Sequence, residues 1–491
     1  MRKTWWLAGF MLAALWAIPA LAQRTDIVVG LVLEPPHLDP TAGAAAAIDE
    51  VGYANIFEGL TRFGPDGAIL PALARSWDIS EDGLTYTFHL HEGVSFHDGT
   101  PFTANDVAFS FTRAMAEDSV NAQKGLFEPI ASVEAADDLT AVVTLDYPYG
   151  NLPFNLAWGD AVIVSSQTAQ TNTTSPVGTG PFRFVRWTQG DSIVIERNPD
   201  YWGEPARLER ATFRFIDDPS AAFAAMMAED VDTFPIYPAP ETLAILDADP
   251  RFVAVIGSTE GETILAMNNR RAPLDNILVR QAITHAIDRQ ALIEGAMFGY
   301  GTPIGTHFAP HHPAYVDLTG LSAYDPDRSR ALLEEAGVGP ITLALALPPP
   351  PTYARRGGEL IAAQLRAVGI DTRIVNMEWS QWLEQVFSGK DFDLTVISHT
   401  EPMDIEIYGR EDYYFGYGAP QFQAIMEELN LSVDPDRRTE LLQAAQRDIA
   451  ENYVNAYLFQ LAKTAIQHVD IEGLWANAPT QATDLTAVYW R

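Results

Sequence analysis

A chain of 491 residues is too long for one ordinary hydrophobic core, and at roughly 100–200 residues per domain it divides into two or three. Hydrophobic residues make up 47% and charged residues 20%, a globular composition and not a disordered one. The formal net charge of -34 repels phosphate backbones and anionic membranes, which argues against nucleic-acid binding, and the absence of cysteine excludes disulfides, zinc–thiolate sites and cysteine nucleophiles.

The first segment reads as an export signal. Arg2 and Lys3 form a positive start, the run from Trp5 to Ile18 carries no charge, and Ala20-Leu21-Ala22 is a small-residue cleavage pattern. Residues 1–22 are therefore expected to be a signal peptide, with Gln23 as the mature start. The apolar run is short for a spanning helix, and no cysteine follows the cut to take a lipid anchor. A soluble periplasmic protein that does not span the membrane is the expectation.

Residues 26–33 form a β-branched apolar run that predicts a buried strand, and 48–60 predict a helix ending near Gly59. Residues 84–91 alternate with period two, as a strand does. HDGT at 97–100 is a turn, and Thr103 with Asp106 forms a capping box that opens a helix through NDVAFSFTRAM. Another hairpin arm falls at 137–145. The polar, Gly/Pro-rich segment 171–181 is a candidate lobe crossing, followed by strand-like FRFVRW and SIVIERN and a helix starting near Asp217 or Asp218. Beyond about 265, helices alternate with single strands. Helices are expected at 276–294, from Asp325-Pro326 to Gly337, at 354–368 and at 379–388, with strands at 341–347, 370–376 and 393–398. That alternation is the signature of parallel sheet units.

In open α/β lobes ligands bind at the carboxyl ends of strands, which nominates the loop His399-Thr400-Glu401-Pro402-Met403-Asp404. Trp379 and Trp382 share a helical face, as core residues or as an aromatic wall of a cleft. His89, His91 and His97, and separately His307, His311 and His312, have spacings that invite a metal, but no carboxylate cluster completes the first set and the second lies in a Pro-rich loop. No metal site is expected. GTGPF at 178–182 lacks the Lys-Ser/Thr of a phosphate loop and reads as a tight turn, and Arg280 reads as a structural ion-pair residue. GxSxG and HExxH are absent, so an exported hydrolase is the less favoured alternative.

Several stretches resemble the family 5 extracellular solute-binding proteins, the dipeptide-, oligopeptide- and nickel-binding group: NIFEGLTRFGPDGAILPALARSWDISEDGLTYTFHLHEGVSFHDGTPFTANDV (55–107), VGTGPFRFVRW (177–187), ERNPDYWG (196–203) and AMNNRRAPLDNILVRQAITHAIDRQALI (266–293). They occur in the family's order and, with 359–398, span nearly the whole mature chain. The resemblance implies an α/β periplasmic-binding-protein-like fold (type II, cluster C), with two α/β lobes joined by a hinge and an inserted extra domain. Lobe I would take 23–50, 177–264 and 470–491, the inserted domain II 51–176, and lobe III 265–469. It implies a non-enzymatic monomer without cofactor that captures a peptide-like small molecule and delivers it to the permease of an ABC importer. An opine, an oligosaccharide or a metal complex are alternative ligands. Dipeptide-binding relatives hold the peptide amino group with an Asp in the loop after the strand equivalent to DLTVIS, where this chain has Glu401 and Asp404. They clamp the carboxylate with an Arg after the strand equivalent to ITLALAL, where this chain has Pro348 to Pro351, with Arg355 and Arg356 slightly later. The expected ligand contacts are Asp404, Glu401, His399, Thr400, Trp379 and Tyr413.

Overall fold

The computed structural model describes residues 24–43, 45–348, 351–400 and 404–491. The expected signal segment 1–22 and the candidate ligand residue Glu401 lie outside the described residues. No described helix is long and apolar enough to cross a membrane.

Two long strands, Phe252–Met267 and Asn455–His468, pair antiparallel in the middle of an 11-stranded sheet. On one side follow Thr233–Phe234, Asp26–Leu31, Arg210–Phe215, Ser192–Arg197 and Phe182–Thr188. On the other lie Leu394–His399, Ile341–Leu347 and Ile370–Asn376, the last three pairing in parallel. Neither long strand is among the elements expected above. The ladder between them is interrupted: Phe252 to Ser258 pair with His468 to Ala462, Glu262 to Ala266 pair with Gln460 to Asn455, and register shifts fall between Ser258 and Glu262 and between Thr263 and Ile264. Gly257 and Gly261 flank this irregularity, as glycines commonly do where strands bulge.

Alternation along Phe252–Met267 sorts its side chains into two cores. Ile264 and Ala266 join a cluster with Trp382, Tyr408 and Tyr414, while Leu265 and Met267 join one with Ile283, Leu345 and Ile361. Both faces of the sheet are covered there, which is why Ile341–Leu347 and Leu394–His399 are rich in apolar residues. The opposite end of the sheet packs Ile27, Val29, Phe182, Phe213 and the C-terminal Trp490 together. A separate four-stranded antiparallel sheet, Ala74–Ile79, Thr85–Leu90, Thr140–Leu145 and Ile130–Asp137 in that order, carries helix Ala104–Met115 on one face. Buried and half-buried residues alternate along Thr85–Leu90 and Thr140–Leu145, as a one-sided sheet requires. The Thr103/Asp106 capping box opens the helix as expected.

Three helices differ from expectation. The first ends at Gly52 instead of near Gly59, because Ala54 takes φ 59 and the carbonyls of Asn55 and Ile56 are needed elsewhere. They accept from Phe182 N (2.9 Å) and Gly180 N (3.0 Å). A Cβ on Gly178 would lie 1.9 Å from the Ile56 oxygen, so the GTGPF turn is glycine-rich to let two backbones touch. The helix expected at 276–294 is two, Ile277–His285 and Arg289–Met297, since the Asp288 side chain caps a new start by accepting from Ala291 N. The helix expected at 379–388 passes from Trp379–Trp382 into a π-helical turn, Leu383–Ser388.

Candidate functional site: a cleft at the interrupted ladder

A cavity of about 960 Å3 opens where the long ladder breaks, with Thr259, Glu260, Gly261, Leu461 and Lys463 along it. Side chains replace the missing ladder bonds. Thr259 Oγ1 donates to Leu461 O (3.0 Å) and accepts from Gly261 N (3.0 Å), and the Gln460 amide donates to Thr259 O. The buried Lys463 ammonium donates to the carbonyls of Trp475 and Asn477, and burial pushes its pKa down to about 8. The walls come from opposite ends of the sheet: Leu31, Asp49, Glu50 and Asp217 on one side, Met297, Tyr353 and Thr400 on the other, with Trp158 and Asp160 adding to the first.

The loop nominated from sequence starts at this cleft. Thr400, directly after strand Leu394–His399, lines it. Asp404 is bracketed by two imidazoles, with His307 Nε2 2.7 Å from Oδ1 and His399 Nδ1 3.3 Å from Oδ2. The other ring nitrogens are also engaged, His307 Nδ1 with Tyr408 OH (3.1 Å) and His399 Nε2 with Tyr414 OH (3.2 Å). Burial alone would raise the Asp404 carboxyl pKa, but the facing imidazoles of His307 and His399 outweigh it and hold it well below the usual carboxylate range. Among the described residues these three are the group whose donor atoms gather within 4.8 Å. Their mutual hydrogen bonds make them a clamp on the loop.

Trp379 and Tyr413 are not part of the described cavity lining. Trp379 is 46% exposed and stacks on Trp382 at 5.0 Å and 6°. Trp382 is buried, and its indole N–H donates to Thr395 Oγ1 (2.9 Å). Tyr413 packs edge-on against Phe387 at 5.7 Å and Phe415 at 5.0 Å. The structure thus brings His399 and Asp404 together beside Thr400 and leaves the two aromatic candidates in a ring cluster.

The histidine spacings resolve into separate roles. His89 meets Asp78 (2.8 Å) and His91 packs against Trp202 with ring centroids 4.5 Å apart and the planes tilted by 35°. His97 accepts from Gly178 N at Nδ1 (3.2 Å) and donates from Nε2 to Gly180 O (2.9 Å), clamping the glycine turn. His311 sits 2.6 Å from the cleft residue Glu260 and 2.7 Å from Ser258 Oγ. Arg280 proves structural, but among the described residues it makes no ion pair and instead donates to the carbonyls of Leu274, Asn452 and Tyr453. The sequence reading missed Asp49, Glu50, Asp160, Glu260 and Lys463 as cleft residues. The Trp158-Gly159-Asp160 triplet, a large polar-tipped ring and an acid flanking a glycine outside any predicted element, was the available signal.

Two ends of one sheet, joined through paired strands that lose their ladder bonds beside a cavity, define a hinged binding protein. The family model described as bacterial extracellular solute-binding proteins, family 5 Middle, matches residues 68–404, and the chain belongs to this family. It is 33% identical over 393 residues to the glutathione-binding protein GsiB of Pectobacterium atrosepticum, covering 78% of this chain and 75% of that protein. HbpA2 from Haemophilus parasuis superimposes with a TM-score of 0.87 at 23% identity, over 95% of this chain and 100% of that one. The ABC transporter-associated periplasmic binding protein DppA from Helicobacter pylori, in complex with the peptide STSA, gives 0.74 at 26% identity, over 95% and 98%. The chain is a solute-binding component of an ABC importer and not an enzyme.

Proposed function

We propose that this protein captures a short peptide or peptide-like solute in the cleft and presents it to the importer's permease from the periplasm, as a monomer released from its 1–22 signal. The observation that carries this reading is the cavity of about 960 Å3 at the interrupted ladder, a volume in the range of small-molecule sites. The peptide class is supported by relatives whose names specify glutathione and a bound peptide. The working bodies are 23–50 with 177–264 and 470–491, the insertion 51–176, and 265–469. The first and third hinge at 258–262 and 460–463, and a ligand touching both walls stabilises the closed arrangement. On the second wall Thr400 contacts the ligand, with His399 and Asp404 fixing its loop.

A library of di- to pentapeptides, screened by thermal shift and followed by calorimetry and solution scattering, tests this. The expected result is a raised melting temperature, a smaller radius of gyration on saturation, and recovery of the peptide intact. Saturable binding without any change in scattering would remove the hinge, and no binding across the library would remove the peptide class.

A further inference from the structure

Among the described residues five carboxylates line the cleft, those of Asp49, Glu50, Asp160, Asp217 and Glu260, against one ammonium, that of Lys463. Two of these charges are engaged, since Glu260 meets His311 and Lys463 is held by carbonyls. Asp49 sits in one corner with Asp160 on one side and Glu50 on the other, and no salt bridge among the described residues pairs any of the three with a cation. Asp160 is 7% exposed, and its Oδ1, like Asp49 Oδ1, is buried with no hydrogen-bond partner. The neighbouring Trp158 Nε1 is a buried donor in the same condition. A Cβ on Gly159 would fall 2.3 Å from Asp49 Oδ1, so the absent side chain is what admits the carboxylate. Buried, unpartnered polar atoms are costly in a finished structure and call for a partner.

The geometry points to this Asp49–Glu50–Asp160 corner as a cation subsite of the cleft, taking the ammonium or guanidinium group of the bound solute. It rests on the binding function proposed above and adds the chemical class of the group bound on this wall. An extended organic cation suits the corner better than a metal ion, because among the described residues its three carboxylates do not bring their oxygens within 4.8 Å of one another as Asp404 does with its two imidazoles. The corner bears the electrostatic mark of crowded, buried carboxylates. Burial pushes Glu50 and Asp160 each up to about 7 and raises Asp49, whose two acidic neighbours raise it further. A cation entering here forms charge-assisted hydrogen bonds and displaces the protons that the free corner holds. Trp158 N–H stands in the same cleft lining for an adjacent carbonyl or carboxylate oxygen of the solute.

Two arms test the subsite and separate it from the peptide reading. In the first, methylammonium, methylguanidinium and potassium chlorides are compared by thermal shift at pH 8 and constant ionic strength. A saturable stabilisation by either organic cation, absent with potassium and lost in Glu50→Gln and in Asp160→Asn, is expected. No such stabilisation, or its persistence in both variants, overturns the subsite. In the second arm, tri-alanine and N-acetyl-tri-alanine, and Ala-Lys-Ala with its norleucine counterpart, are titrated calorimetrically. At least one amine-bearing member is expected to bind tenfold or more tighter than its blocked partner, with the difference gone in Glu50→Gln. Binding that ignores the amine removes the subsite and leaves the peptide reading. A cation response in the first arm without peptide binding in the second removes the peptide reading and leaves the subsite. Glu50 is partly buried along the cleft, and circular dichroism checks that its amide variant keeps the fold.

Discussion

Gly150 lies against Ser432 so closely that a Cβ on it would stand 1.8 Å from the Ser432 carbonyl oxygen. Gly150 N donates to Asn430 O (2.8 Å), and Arg438 reaches from its own carbonyls, Leu429 O and Ser432 O, to Asn151 Oδ1 (2.7 Å). The segment after the four-stranded sheet therefore touches the helix pair Pro420–Leu431 and Pro435–Glu451, whose other side packs with Ile264 and Tyr457 of the long strands. Gly150→Ala is expected to part this contact at a cost of about 1–3 kcal/mol, the range for overpacking. Asn151→Ala removes one bond while Arg438 keeps its two carbonyls, so about 1 kcal/mol is expected. Hydrogen exchange at the Gly150 amide, faster in both variants, is the check.

Buried histidines set the acid side of the stability profile. Burial pushes His97 and His312 each down to about 4, with the neighbouring His311 adding to the effect at His312. Between that value and the ordinary one near 6.5 the unfolded chain binds more protons, so stability is fully present above about pH 6.5 and is lost as pH falls toward 4. Asp404, held low, adds a loss only below the ordinary carboxylate range. Glu50 and Asp160 act oppositely: raised to about 7, their contribution is present below about pH 4 and is lost as pH rises toward 7. Urea titrations at pH 7 and 4.5 should find the acid loss smaller by roughly 1–3 kcal/mol in a stably folded His97→Gln variant.

Arg280 satisfies three carbonyls from two segments, Leu274 on one and Asn452 and Tyr453 on the other. Burial lowers its pKa to about 10, still protonated at any working pH. Lysine keeps the charge but lacks the planar fork, so Arg280→Lys should lose about 2–4 kcal/mol by thermal or urea unfolding.

The glycine turn leaves no space for a side chain. Gly178→Ala meets Ile56 O at 1.9 Å, and Gly180→Ala meets Asn55 O at 2.4 Å, both backbone atoms that cannot swing away. Each variant is expected to cost 3 kcal/mol or more, about the upper range for overpacking, with lowered melting temperature and exposure of the His97 clamp to exchange.

Local pattern made the parallel strands legible: Ile341–Leu347 and Ile370–Asn376 stand where their apolar runs and the Pro348 and Gly369 boundaries put them. The helix caps were equally readable, at Thr103, Asp218 and Asp325. The long strands were not, because GSTEGE in the middle of Phe252–Met267 lacks strand-like residues; its conformation is imposed by the partner strand and by Thr259 and Gln460. The loop at 399–404 could be nominated from its place after a strand, yet its engagement by His307 is a long-range contact that no local pattern carries. The same holds for the acidic corner, whose Asp49 and Asp160 belong to distant segments joined by a three-dimensional accident of a glycine.

Residues 471–490 pack back onto strand Asp26–Leu31. Ile471, Leu485, Val488 and Trp490 belong to the core around Ile27 and Val29. Asn55 binds Thr483 O and accepts from Leu485 N, and the Trp490 indole donates to Asp26 O (3.0 Å). The core around Ile27 and Val29 therefore cannot close until residues 471–490 have been made, which couples two segments more than four hundred residues apart in one folding step.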